Sequence, residues 1–336
     1  MSANKRITMQ DIARKAGVTA ATVSMALRDH ARISPETRER VRAVAERLGY
    51  RPDPLISALM SQRRGKQGDR SPGTLGVVSL WPAGPKNWKH DSFYAPYRAG
   101  LRERAVSLGY GVDVFPCDGS AASVRSLLRV LRARGIQGVV IAQAHESFTE
   151  LPFSVEGFAA AYIGNGIRAP HLSRVDAALD YDFRLAWRRL REDGCRHIAL
   201  LTWSLLTQKN EGAWMGAYLN AQRELPAKNR IPPLELEDMD DFAAITAWIN
   251  RHKPEVLLTE RSGLFPRLRK KFPALRLVCL ALADSDPYEG IRVGRRDIGA
   301  AAVDLVVAQL NRGERGIPSI PKRVLVEGIY AVAAGA

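Results

Sequence analysis

Residues 8 to 28, TMQDIARKAGVTAATVSMALR, place hydroxyl and cationic side chains at the ends of two short helical patterns. Such groups are suited to hold phosphate oxygens. Thr8 can cap a first helix, and Asp11 three residues on completes a capping box. Ile12, Ala13 and Ala16 form the apolar stripe of that helix. Gly17 suits a tight turn, where a side chain would oppose both the backbone conformation and the approach of the two helices. Thr19 caps a second helix whose inward face is Val23, Ala26 and Leu27. Taken alone, Ala13, Gly17 and Val23 fit an ordinary helical hairpin as well as a helix-turn-helix that enters a DNA groove.

The next 30 residues narrow the choice. Ser34-Pro35 is a capping residue followed by proline at the first helical position. It starts a third helix with Val41, Val44, Ala45 and Leu48 on one face, ending at Gly49. Tyr50-Arg51-Pro52-Asp53-Pro54 then breaks the chain before a short fourth helix, Leu55 to Met60. This arrangement resembles the lactose-repressor (LacI/GalR) family of bacterial transcription regulators. Thr8, Asp11, Ile12, Ala13, Ala16, Gly17, Val18, Thr19, Thr22, Val23, Ser24 and Leu27 carry the resemblance, followed by Ser34, Thr37, Arg38, Val41, Leu48, Tyr50 and Pro52. It is strong over residues 7 to 60; beyond residue 74 it is one of architecture and scattered positions.

Charge agrees. The chain has 50 Lys and Arg against 35 Asp and Glu, a net of +15, and residues 1 to 70 carry +8 of it. A concentrated positive field favours a polyphosphate partner through counterion release. No run of 18 apolar residues suggests a membrane span, and no apolar signal core opens the chain, so the expected location is the cytoplasm. Cys117, Cys195 and Cys279 are odd in number and far apart, the pattern of buried thiols in a reducing compartment. The six histidines form no metal motif, and no phosphate loop, dinucleotide fingerprint or nucleophile elbow is present. His145-Glu146 and Cys195-His197 are isolated pairs. No catalytic residue, metal or cofactor is assigned. An enzyme on a doubly wound fold and a transport solute-binding protein remain the rivals; the second would need a secretion signal and no DNA module.

Residues 61 to 73, SQRRGKQGDRSPG, read as a linker between a DNA-binding module (1–60) and a core (74–336). In the core, strands alternate with helices. Strands are expected over Thr74–Leu80, Gly111–Phe115, Gly138–Ala142, Phe158–Ile163, His197–Thr202, Val256–Thr259 and Leu275–Leu282, and a late helix over Ile298–Asn311. This order implies two doubly wound subdomains with parallel sheets covered on both faces. The fold class is thus an all-α helix-turn-helix domain with a hinge helix, followed by an α/β core. The resemblance implies a periplasmic-binding-protein-like core with crossovers near Gly164, Ile291 and Pro318. The first subdomain would take about 74–163 and 291–318, the second about 164–290 and 319–336.

Ligands of open parallel sheets gather at the carboxyl ends of strands. The loops there offer Trp81, Trp88, Trp203 and Trp214 as flat apolar faces, and Gln143, Asn165, Asn210 and Asp284 as hydroxyl partners, a set suited to a sugar-like effector. Each of these tryptophans fits simple packing too. The chain departs from the family where an arginine commonly opens the helix after HIALLT: Ala213 stands there, with Gly216 three residues on. Alanine cannot grip a diol as a guanidinium does, and the acidic position expected near Leu280 to Asp284 is displaced. The expected effector is therefore not a standard hexose in the usual pose; a core that only dimerises is the other reading.

On the DNA side, the resemblance implies that Ala20, Ala21 and Met25 stand at base-reading positions of the second helix. Alanine and methionine make apolar contacts, for instance with a thymine methyl, where relatives carry polar pairs and an arginine. Thr8, Thr19, Ser24, Arg28, Arg32, Ser34, Thr37 and Tyr50 match positions that touch the backbone. Ile56 and Leu59 match the hinge, where the family leucine wedges into the minor groove and bends the duplex; packing within a hinge pair is the alternative for Leu59. The expected partner is a pseudo-palindromic double-stranded operator read by a homodimer. Leu59→Ala is expected to cost a few kcal/mol of specific binding and to reduce the bend. A permuted-site gel assay that returns an unchanged bend angle rejects the wedge.

Overall fold

The structure, a computed structural model, describes residues 7–27, 33–48, 73–84, 88 and 91–333. The chain divides into two compact units, one up to Pro72 and one from Gly73 onward.

The first unit holds α1 (Met9–Ala16), α2 (Ala20–Ala26) and α3 (Pro35–Arg47). Each begins where the sequence offers a cap. Asp11 N donates to Thr8 Oγ1 at 3.4 Å while Thr8 N donates to Asp11 Oδ2 at 3.0 Å, the reciprocal pair of a capping box. Thr19 and Ser34 accept from the amides of Thr22 and Thr37. Gly17 ends α1 at φ 67°, a left-handed conformation that disfavours a side chain. Ile12, Val23 and Val41, one from each helix, are fully buried together. Leu27, Val44 and Leu48 only line the edge of that cluster. The expected fourth helix and the linker lie outside the described residues.

In the second unit, β1 (Thr74–Leu80), β2 (Gly111–Cys117), β3 (Gly138–Ile141), β4 (Ala159–Ile163), β5 (Ser173–Ala177) and β11 (Arg323–Val326) form an all-parallel sheet. Its order is β11-β5-β4-β3-β1-β2. A second sheet, ordered β12-β10-β9-β8-β6-β7, contains β6 (Ile198–Trp203), β7 (Leu234–Leu236), β8 (Val256–Thr259), β9 (Arg276–Leu282), β10 (Gly290–Arg292) and β12 (Ile329–Ala331). It is parallel except for β12, which runs antiparallel to β10. The helices are α4 (Ala95–Ser107), α5 (Ala121–Ala133), α6 (Leu179–Glu192), α7 (Ser204–Lys209), α8 (Ala213–Gln222), α9 (Phe242–His252), α10 (Phe265–Lys271) and α11 (Arg295–Arg312).

The chain changes sheets later than the resemblance implied. The strand after Gly164, β5, still pairs with β4, so the first crossover falls between Ala177 and α6. The third follows β11, which pairs with β5; only from Ile329 does the chain join the second sheet, eleven residues beyond Pro318. The second crossover falls between β10 and α11. Gly164 interrupts an apolar run and adopts φ 97°, yet it turns the chain within one sheet.

One apolar cluster runs through both subdomains and contains Leu101 of α4, Phe183 and Trp187 of α6, Tyr218 of α8 and Val303 of α11. Two others back the outer faces of the sheets under α5 and under α9 and α10. α11 returns to the first subdomain and crosses α4 at two glycines. A Cβ on Gly100 would lie 1.8 Å from Arg296 O, and one on Gly299 would lie 2.2 Å from Tyr97 O.

The first and third crossovers are tied by Asp182, fully buried on α6. Its Oδ1 accepts from Gly328 N at 2.7 Å, between β11 and β12, while Oδ2 has no partner. Burial lifts this carboxyl to about 6. A carboxyl that binds its proton more tightly when folded adds stability below its unfolded value, near 4, and loses it as pH rises through about 6. Unfolding of the wild type relative to Asp182→Asn is therefore expected to be favoured by pH 7.5 over pH 4.5, by on the order of 2 kcal/mol. Parallel denaturant midpoints at the two pH values would contradict this.

Candidate nucleic-acid interface and effector cleft

On α2 the residues expected to read bases present little polarity. Ala21 is exposed; Ala20 and Met25 are half-buried, and Ala20 packs against the three-helix cluster. The hydroxyls around them are pre-arranged in pairs. Thr8 Oγ1 donates to Asp11 Oδ2 at 2.7 Å, Thr19 and Thr22 hydroxyls lie 2.9 Å apart, and Ser34 Oγ donates to Thr37 Oγ1 at 2.9 Å. Capping thus fixes where these oxygens stand, at the first turns of all three helices. Ser24 is half-buried on α2. Arg28, Arg32, Tyr50, Ile56 and Leu59 lie outside the described residues. Reading such a surface chemically, it offers methyl contacts from α2, flanked by hydroxyl and amide donors for phosphates.

In the second unit the carboxyl ends of the two sheets are joined by Arg295. This side chain, 3% exposed at the start of α11, donates from Nη1 to Leu282 O at 2.5 Å and from Nη2 to Ala281 O at 3.1 Å, at the end of β9. Its guanidinium also lies 4.5 Å from the ring centroid of Phe93, which follows β1. A buried cation without a carboxylate is costly, and carbonyls plus an aromatic face offset part of that cost.

Around this junction several buried polar atoms lack partners. Trp81 stands edge-on to Tyr94 and His145 with Nε1 unpaired. Gln143 Oε1 and Asn165 Nδ2 are unpaired at the ends of β3 and β4. Trp214 Nε1 is also unpaired, but this residue is 4% exposed and belongs to the core. An unpaired buried group costs about 1–3 kcal/mol, recovered when a ligand supplies the missing hydrogen bond. Trp81, Gln143 and Asn165 are therefore brought together at one sheet end.

Other expected residues are placed differently. Trp88 is 1% exposed, its carbonyl accepts from Arg98 and that guanidinium lies 5.5 Å over its ring, so its faces are spent in packing. Trp203 donates Nε1 to Glu237 O at 2.8 Å and leans on the outer cluster of the second sheet. Asn210 is buried at the end of α7, its backbone bridging Leu206 and Ala213. Asp284 is exposed, and only its carbonyl is engaged, by Arg292. The acid that points inward there is Asp286, whose Oδ2 accepts from Ser262 Oγ at 3.0 Å and from Ala283 N at 3.1 Å.

Glu260 was missed by the sequence reading. It directly follows β8, and its Oε1 accepts from Trp203 N at 3.1 Å while buried Oε2 has no partner. Burial raises its carboxyl to about 7. It can therefore accept or donate near neutral pH. The signal was available: the loop after Val256–Thr259 is a strand carboxyl end like the others.

The family model described as bacterial regulatory proteins, lacI family, matches residues 8–53. The maltose regulon regulatory protein MalI of Escherichia coli (strain K12) is 32% identical over 217 residues, 64% of this chain and 55% of that protein. Catabolite control protein A of Priestia megaterium is 25% identical over 231 residues, 66% of this chain and 64% of that protein. The matched stretches thus span between half and two thirds of these relatives. Among solved structures, the lac repressor dimer bound to operator and the anti-inducer ONPF has a TM-score of 0.54 at 18% identity, covering 98% of both chains. The complex of the transcriptional regulator CelR with cellobiose has a TM-score of 0.53 at 19% identity, covering 98% of this chain and 99% of that one. At such identities the likeness is one of fold. Residues 8–53, the capped helix-turn-helix, thus match the model of the lacI family of bacterial regulatory proteins, and the two-sheet unit that follows them in sequence shares the fold of these solved structures.

Proposed function

We propose that this chain is an operator-binding transcription repressor that works as a homodimer in the cytoplasm, without enzymatic activity, and whose DNA affinity is set by a small polar effector. The observation that carries the reading is the presence, in one chain, of a capped helix-turn-helix and of a sheet junction where Trp81, Gln143, Asn165 and Glu260 hold unpaired buried polar atoms. The relatives named above are regulators, and solved structures of like fold carry operator or sugar-like ligands. Two helix-turn-helix units related by a two-fold axis would sit on half-sites of a pseudo-palindrome. The hinge segment is too short to hold a helix in water by itself, so DNA and dimer would form it together. Coupling is reciprocal: an effector that loosens DNA binds less well to the DNA-bound protein.

Selection of bound genomic fragments by the full chain, at fixed near-physiological salt, is expected to return a roughly palindromic motif. Binding without a motif would overturn the reading of a sequence-specific regulator. For the effector, unpaired Asn165 and Glu260 replace the arginine that Ala213 does not supply. Isothermal titration with common hexoses is expected to show no micromolar binding. A hexose that bound in that range would sink this view of the cleft.

A further inference from the structure

Away from that junction, the first sheet carries an unusual row of side chains. Register aligns Ile141 with Tyr162, Tyr162 with Arg174, and Arg174 with Arg323 across β3, β4, β5 and β11. Two arginines thus stand side by side on neighbouring strands, where like charges oppose each other, and Lys322 precedes the second. A cavity of about 130 Å³ lies on this row. Leu151, Ile167 and Leu172 give it apolar walls, and Arg174, Lys322 and Arg323 form its cationic side. Tyr162 also lines it, and its buried hydroxyl has no partner.

The countercharge is loose. Glu211, from the turn between α7 and α8 of the other subdomain, reaches Arg174 at 3.4 Å and Arg323 at 3.5 Å. Asp176 reaches Arg323 at 3.4 Å. Charge-assisted hydrogen bonds between guanidinium and carboxylate usually close to about 2.7–2.9 Å. Among the described residues Lys322 has no carboxylate within 4.0 Å. Three cations therefore face two carboxylates, one of which, Glu211, is half exposed.

We propose that this cavity binds a small organic anion, a carboxylate or phosphate monoester with an apolar body, and that its head displaces Glu211 from Arg174 and Arg323. The head would take the cations that Glu211 holds at long range, and the body would cover Leu151, Ile167 and Leu172. Because Glu211 belongs to the second subdomain and both arginines to the first, occupancy would release a tie between the subdomains. The site is separate from the junction of Trp81, Asn165 and Glu260 and does not depend on what binds there or on operator recognition.

The test is isothermal titration of the full chain without DNA, at 0.1 M salt, using phenyl phosphate, benzoate and inorganic phosphate as probes. Phenyl phosphate or benzoate is expected to bind saturably at one site per chain, and inorganic phosphate at least tenfold more weakly. The exposed Lys322→Gln should weaken the organic anions at least tenfold with unchanged circular dichroism and melting. Glu211→Gln, by removing the competitor, should tighten them several-fold. Absence of saturable binding to the wild type, or full affinity in a folded Lys322→Gln, overturns the site. Unchanged affinity in Glu211→Gln overturns the displacement, and equal binding of inorganic phosphate overturns the role of the apolar walls.

Discussion

The close crossing of α4 and α11 is the contact on which the second unit depends. Two backbones approach there so closely that a methyl group on either Gly100 or Gly299 would overlap a carbonyl of the other helix. That approach lets α11, which starts beside the second sheet, lie along the first and bury Val303 and Val306 in the shared cluster. With α11 so placed, β11 can follow it and complete the edge of the first sheet before β12 returns to the second. The crossovers are then close enough in space for Asp182 to bond Gly328. They also let Arg295 reach the end of β9. The crossovers and the junction at Arg295 are consequences of one packing constraint.

Much of this was legible in the sequence because long-period patterns survive tertiary context. Capping residues at Thr8, Thr19 and Ser34 marked helix starts that the structure reproduces. Continuous apolar runs such as Thr74–Leu80 and Val256–Thr259 declared buried parallel strands. What escaped were short strands at or beside a sheet edge. β5, SRVDA, alternates buried and partly exposed residues, and β11, RVLV, is largely exposed, so neither has the apolar continuity by which the central strands were recognised. Misplacing them moved two crossovers.

The site was legible to a lesser degree, for a different reason. Composition names residue types that can meet a ligand but not which way they face. Trp88 and Trp81 look alike in sequence; one is wrapped by Arg98 and the other stands edge-on to Tyr94. Asp284 and Asp286 are two residues apart, and only the second turns its carboxylate inward. Glu260 and Arg295 were passed over because a lone acid after a strand and a cation in a helix's first turn are ordinary on a surface, and only burial makes them notable.

The apolar character of α2 has a bearing on how a genome would be searched. Were Ala20, Ala21 and Met25 to read bases as proposed, that face would gain little from the right base and lose little at the wrong one, while hydroxyl and amide contacts to phosphate would be the same everywhere. The gap between specific and background affinity then narrows, and genomic background sites compete as a large reservoir. Under those conditions the number of protein copies per cell, rather than the tightness of any single complex, decides which promoters are occupied, and genes would respond in the order of how readily their DNA bends.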